Sequence, residues 1–218
     1  MSEYIQRVLQ PESFAIWGLS GTIVVLVGSL VPAIAYRGKL GEKYSLLNHF
    51  VSELGDRNIS LLSSIFNSSL ILAGILFSMF MIQLARYLGT IGAFIAGAVG
   101  VIAAFGCCMV GAFPMDTIKK HDRCAAVFFT GGLSTVFLFG IISLLDKRHG
   151  LPMEFVLYAF IVAMFFAVYI MIPRKTTIDI VTYKELDAQR PVVWALPLLE
   201  WISMLGIIGW IAAVSLCL

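Results

Sequence analysis

Tyr87–Met115 reads YLGTIGAFIAGAVGVIAAFGCCMVGAFPM and contains no Asp, Glu, Lys, Arg or His. A helix rises about 1.5 Å per residue, so roughly 20 apolar residues cross the hydrocarbon of a bilayer. The stretch is therefore read as a membrane span. Within it Gly92, Ala96, Gly100 and Ala104 recur every four residues, as do Gly89, Ala93 and Gly97. Small residues at that spacing let helix backbones approach closely in lipid. This third span is expected to be the packing hub, touched on two sides.

Outward from it the pattern repeats. Phe14–Tyr36, Asn58–Ala85, Cys124–Leu145 and Phe155–Pro173 are also uncharged, and Trp194–Cys217 carries only Glu200. An apolar fraction of 60% with 13% charged residues lies far from a soluble domain. A β-barrel would alternate with period two over about ten residues per pass. These runs are continuous and twice that length, and uninterrupted apolar runs satisfy their backbone as helices. The fold class is an all-α polytopic membrane protein. One domain covers residues 1–218, with spans at about 14–36, 61–85, 89–113, 123–145, 153–173 and 194–217. Ala33-Ile34-Ala35 resembles a signal-peptide cleavage site. The apolar stretch before it exceeds the about 7–15 residues of a signal core, so the first run is expected to remain a span.

Charge is distributed unevenly around a net of +2. Arg37, Lys39, Lys43, Arg57, Lys119, Lys120, Arg123, Arg174, Lys175, Lys184 and Arg190 fall in loops one, three and five. Arg7, Arg86, Lys147 and Arg148 fall on the other side. The positive-inside rule then predicts a multi-pass cell-membrane protein with loops one, three and five cytoplasmic and both termini outside. The four cysteines contain no Cys-x-x-Cys pair, which leaves no redox or zinc-knuckle framework.

Loop one holds Leu46, Leu47, Phe50, Val51 and Leu54 at the spacing of one helical stripe. That spacing predicts a short interfacial amphipathic helix over Glu42–Leu54, stopped near Gly55, with Asn58 or Ser60 capping the second span. Its polar side would carry Ser45, Asn48, His49, Ser52, Glu53 and Asp56. His49, Glu53 and Asp56 then share a face at i, i+4 and i+7. Histidine with carboxylates is both a general acid–base set and a ligand set for zinc or a similar divalent ion. A solvated polar face explains the same residues without chemistry.

Loop three offers Asp116 and His121 with Asp122 beside them, where the plainer reading has Asp116 capping the turn after Pro114 and Asp122 capping helix four. Loops one and three open on the same side, so the two histidines are expected to converge. Glu200 is the sharpest single residue, because an ionised carboxylate inside a span costs several kcal/mol and is usually paired, protonated or functional. Lys120 or Arg123 is its expected partner, and Asn67 its polar neighbour. Trp194 and Trp201 fit an aromatic belt at the membrane edge. Several classes are excluded: no mid-membrane histidine pair holds a haem, no lysine sits in the last two spans for a retinal Schiff base, and nothing suits nucleic acid.

The segment Asn48-His49-Phe50-Val51-Ser52-Glu53-Leu54-Gly55, then Ile65-Phe66-Asn67, then Gly111-Ala112-Phe113-Pro114-Met115-Asp116 with His121 resembles an uncharacterised six-helix prokaryotic membrane family. That family carries a Ser-Glu-Leu-Gly signature before helix two and a Phe-Pro-x-Asp…His signature between helices three and four. The pattern is also distantly similar to the damage-regulated autophagy modulator family, which includes proteins tied to lipid remodelling of GPI anchors. That group tends to have Ser-Asp where this chain has Ser52-Glu53.

These readings converge on an interfacial polar pocket that recognises or processes a membrane lipid, an amphiphile with an anionic head group. His49, Glu53, Asp116, His121 and Glu200 are the candidate catalytic residues. Ser52, Asn67, Lys119, Lys120 and Arg123 are the candidate binding residues. A divalent metal such as zinc would sit on His49, His121 and Asp116. The alternative is a non-enzymatic lipid sensor, assembly factor or small-solute carrier whose polar cluster pins helix ends together.

Overall fold

The computed structural model describes residues 10–146, 150–172 and 190–218. Arg7, Lys147, Arg148, Arg174, Lys175 and Lys184, which enter the sequence reading, lie outside the described residues. Among the described residues six α-helices carry the fold: α1 (Phe14–Ala35), α2 (Ser63–Leu88), α3 (Ile91–Ala112), α4 (Ile118–Leu145), α5 (Met153–Met171) and α6 (Ala195–Cys217). All six are long and apolar enough to cross a membrane. No strand occurs among the described residues.

Each helix packs on the next, and α6 closes back on α1, so the bundle is a ring. Short connections enforce this order. Between α2 and α3 the chain turns on Gly89 and Thr90. Gly89 takes φ +68°, a left-handed conformation that costs glycine little, and its N–H caps Ala85 O. Thr90 then accepts a hydrogen bond from the Ala93 N–H at 3.1 Å and starts α3. The small residues of α3 do meet two helices: Gly97 faces Met81 and Ala85 of α2, and Gly106 faces α4. A methyl group on Gly106 would come within 2.8 Å of the Phe128 backbone nitrogen, so only glycine permits this approach. Between α5 and α6, the buried Trp210 indole donates to Phe155 O at 3.1 Å.

Loop one departs from the expected amphipathic helix. Residues 42–50 are extended and turned, and only Val51–Gly55 coils, as one 3-10 turn. The apolar stripe splits: Leu46 and Leu47 are exposed, whereas Phe50, Val51 and Leu54 are buried. The residues assigned to a solvated face go the other way, for His49, Ser52, Glu53 and Asp56 are all buried. Helical spacing therefore misread a segment folded around its polar side chains.

The cap expectations change as well. Neither Asn58 nor Ser60 caps α2, whose N-cap position is Leu62 with no side-chain bond. Asp56 organises the approach, its Oδ1 accepting from the Asn58 N–H at 2.8 Å and its carbonyl from the Ser60 N–H at 2.8 Å. Helix α4 begins at Ile118, so His121 and Asp122 lie inside it rather than in loop three, and Asp122 is no cap.

Candidate functional site

The end of the ring that carries loops one and three also carries the start of α6. Glu53 is its best-held group, 1% exposed. Arg190 grips it bidentately, Nη1 to Oε1 at 2.9 Å and Nη2 to Oε2 at 3.1 Å. The Phe50 N–H donates to Oε1 at 2.9 Å, which fixes the 3-10 turn, and the Tyr36 hydroxyl donates to Oε2 at 3.4 Å. Arg190 also donates to Asn48 O at 2.8 Å. Around this pair the chain before α6 clasps loop one: Asn48 Nδ2 donates to Pro191 O, and the Trp194 N–H donates to Leu47 O. The Trp194 ring packs edge-on against Phe50.

Glu200, buried one turn into α6, accepts the Val51 N–H at 2.8 Å. The expected cations lie elsewhere. Lys120 sits over the Phe113 ring at 5.1 Å, and Arg123 and Lys119 are exposed on α4. Trp201 is buried, not in a lipid-facing belt, and its indole donates to the Tyr44 hydroxyl at 2.9 Å. That hydroxyl in turn donates to Phe50 O at 2.8 Å. Burial, with Glu200 and Glu53 nearby, pushes the Tyr44 phenol well above its ordinary range. Burial and the Glu53 carboxylate do the same to Tyr36.

His49 stacks among these rings, 5.4 Å from Tyr36 and 5.0 Å from Tyr44 between centroids. Its Nδ1 lies 2.8 Å from Asn48 Oδ1. Asn48 Nδ2 is committed to Pro191 O, so Oδ1 faces the histidine, and the Ser45 N–H donates to the same Nδ1 at 3.2 Å. Loop three joins through Asp116, which pairs with Arg57 of loop one at 3.2 Å. His121 Nδ1 lies 3.0 Å from Phe113 O. A carbonyl only accepts, so this nitrogen carries a proton. Asn67 Nδ2 donates to Gly55 O at 2.9 Å and ties α2 to the 3-10 turn.

Inside the ring lies a cavity of about 90 Å³. Its walls come from α1, α2, α3, α4 and α6 and are mostly hydrocarbon, with Leu70, Phe77, Phe129, Ile207 and Ile208 among them. Ser52, His121 and Glu200 also line it, all from the loop-one end. His49, Asp116, Lys119, Lys120 and Arg123 do not. Among the described residues no three His, Cys, Asp or Glu side chains come together to hold a metal ion, so His49, His121 and Asp116 do not form the ligand set expected of them.

Arg190, Tyr36 and Tyr44 were not among the site residues expected from sequence. Arg190 stands 137 positions from Glu53, and no local spacing links them. The available signal was a surplus of acid in Ser52–Asp56 without a neighbouring cation apart from Arg57.

The fold and site together define a multi-pass integral membrane protein, a ring of six helices around a cavity with one polar end. A family model matches residues 22–216, and the chain belongs to that family, described as a protein of unknown function (DUF998). No curated protein and no solved structure matches the chain.

Proposed function

We propose that the protein binds a lipid-like amphiphile taken from the bilayer, with the chain in the central cavity and the polar end at Ser52, His121 and Glu200. One observation carries the reading: a mostly apolar cavity inside the helix ring is lined at its loop-one end by three polar side chains, Ser52, His121 and Glu200. A head group can meet polar side chains at that end while its chain meets hydrocarbon along the rest, a pairing that suits an amphiphile. The exposed Lys119, Lys120 and Arg123 then serve as contacts to the anionic bilayer surface rather than to the bound molecule. Loops one, three and five face the cytoplasm of the cell membrane in this reading. His121 and Glu200 at the head group also form a general acid–base pair, which the fixed imidazole tautomer favours.

The test is mass spectrometry of lipids that co-purify with the protein, beside an Ala104→Phe variant that fills the cavity. Near-stoichiometric recovery of one amphiphile class from the native chain, lost in a folded variant, supports the reading. Identical lipid profiles for both contradict it.

A further inference from the structure

We infer that the groove between the end of α1, loop one and the start of α6 is a site for one anionic glycerophospholipid. Its phosphate would lie on Arg37 and Lys43, and a chain along Leu30, Ala33 and Ile34. The groove has a volume of about 360 Å³ and shares no lining residue with the central cavity, so the inference goes beyond the amphiphile reading above and does not depend on it. Small-molecule sites run from about 300 to about 1,000 Å³. A turn of loop one builds the charged end. The Gly38 N–H donates to Glu42 O at 2.9 Å and the Gly41 N–H to Gly38 O at 2.9 Å, with Gly41 at φ +80°, a conformation that costs glycine little. That closure sets Arg37 and Lys43 at the two feet of one turn. Arg37 Nη1 donates to Tyr36 O at 2.7 Å, which steadies the guanidinium and leaves other N–H groups to bind. Both cations are exposed, and neither joins an ion pair among the described residues. Glu42, the carboxylate of the turn, accepts the Leu40 N–H at 3.0 Å and does not line the groove.

The other end is hydrocarbon. Leu30, Ala33 and Ile34 share a face of α1 at i, i+3 and i+4, and Leu30 and Ile34 are 52% and 80% exposed. Tyr44 and Trp201 also line the groove, edge-on to one another at 6.0 Å between centroids. Their polar atoms are spent within the protein, the indole N–H on the Tyr44 hydroxyl and that hydroxyl on Phe50 O. Cations at the loop end and hydrocarbon on the membrane side follow the order of groups in a lipid lying in its leaflet. Arginine takes a phosphate through two parallel N–H bonds, and a net anionic head gains from both cations. A choline head would bring its own ammonium toward them, and among the described residues no carboxylate lines the groove.

The experiment is native mass spectrometry of the full chain in detergent, titrated with phosphatidylglycerol or with phosphatidylcholine of the same chains. The first phosphatidylglycerol should bind about tenfold more tightly than the first phosphatidylcholine. Arg37→Gln and Lys43→Gln should each weaken it about fivefold, and together about 25-fold, the scale of one surface cation apiece. Both side chains are exposed, so the thermal midpoint should stay near that of the native chain. Lys39→Gln makes the same charge change in the same turn but outside the groove, and should move binding by less than about twofold. Ala33→Trp, which fills the hydrocarbon end, should weaken it about fivefold. Glycerol phosphate, a head without a chain, should not compete. Equal binding of the two lipids, full binding in the double variant, or an equal loss in Lys39→Gln overturns the site, and competition by glycerol phosphate overturns its assignment to lipid. The same titrations in a folded Ala104→Phe variant should give the same pattern. Selectivity lost there would place the lipid in the central cavity, which overturns the groove site while leaving the amphiphile reading standing.

Discussion

Arg190 and Glu53 meet through two parallel hydrogen bonds, 2.9 and 3.1 Å long, across 137 residues of chain. Their side chains are 10% and 1% exposed. Breaking a buried pair strands a charge, which costs about 3–5 kcal/mol. Glu53→Gln and Arg190→Gln should each lower the thermal midpoint of the detergent-solubilised protein strongly. Arg190→Lys should rescue little, because an ammonium cannot reproduce the planar fork. A double-mutant cycle should return a coupling of about 1–3 kcal/mol. Additive single effects would mean that the pair does not act as one unit.

Asp116 and Arg57 make the contrasting pair. They also join two loops, but the Arg57 side chain is 57% exposed. Ion pairs in such settings are worth about 0–1 kcal/mol and are screened by salt. Asp116→Asn should therefore shift stability by less than about 1 kcal/mol, and the shift should vanish at high ionic strength. A loss as large as that of Glu53→Gln would show that loop three is held to loop one mainly through this contact.

Asn67 and Gly55 test the link between α2 and the 3-10 turn. Asn67→Leu leaves the Gly55 carbonyl without its amide partner and should cost about 1–3 kcal/mol. Gly55→Ala should be destabilising as well, since its methyl group would run into the Asn67 side chain. Thermal melts of both variants check this, and a native-like midpoint for Asn67→Leu would count against the tie.

The phenols of Tyr36 and Tyr44 give a pH signature. Burial is the main cause of both raised values, with the Glu53 and Glu200 carboxylates adding to it. The folded chain thus keeps these protons after the unfolded chain has released them at the ordinary value of 10.0. The contribution is fully present below pH 10 and is lost as pH rises beyond it. Phenolate absorbance should show two tyrosines that ionise only with unfolding, and Tyr36→Phe should flatten the alkaline loss of stability. Ordinary titration of every tyrosine near pH 10 in the folded state would be inconsistent with this burial.

The spans were legible because lipid leaves a continuous apolar run few options other than helix. Helix ends were less legible: Gly89 was read as a packing position but ends α2 in a left-handed conformation, and neither Asn58 nor Ser60 caps the start of that helix. Loop one was not legible by the same means. Its Leu46–Leu54 spacing fits a helix, yet Glu53 reaches back to the Phe50 N–H and Arg190 arrives from a distant segment, so tertiary partners override periodicity. Glu200 stood out because a carboxylate in a span is rare. Its partner, a backbone N–H of loop one, could not be read from side-chain types. The cavity was equally hidden, since its walls are ordinary hydrocarbon whose depth appears only once the ring closes.

The most direct measurement is an experimental density map of the protein in lipid nanodiscs. The account predicts density for a bound amphiphile inside the ring, its polar end beside Glu200 and His121, with Arg190 closed on Glu53. A cavity collapsed by inward side chains, or loop one swung away so that Glu53 and Glu200 face bulk water, would contradict it.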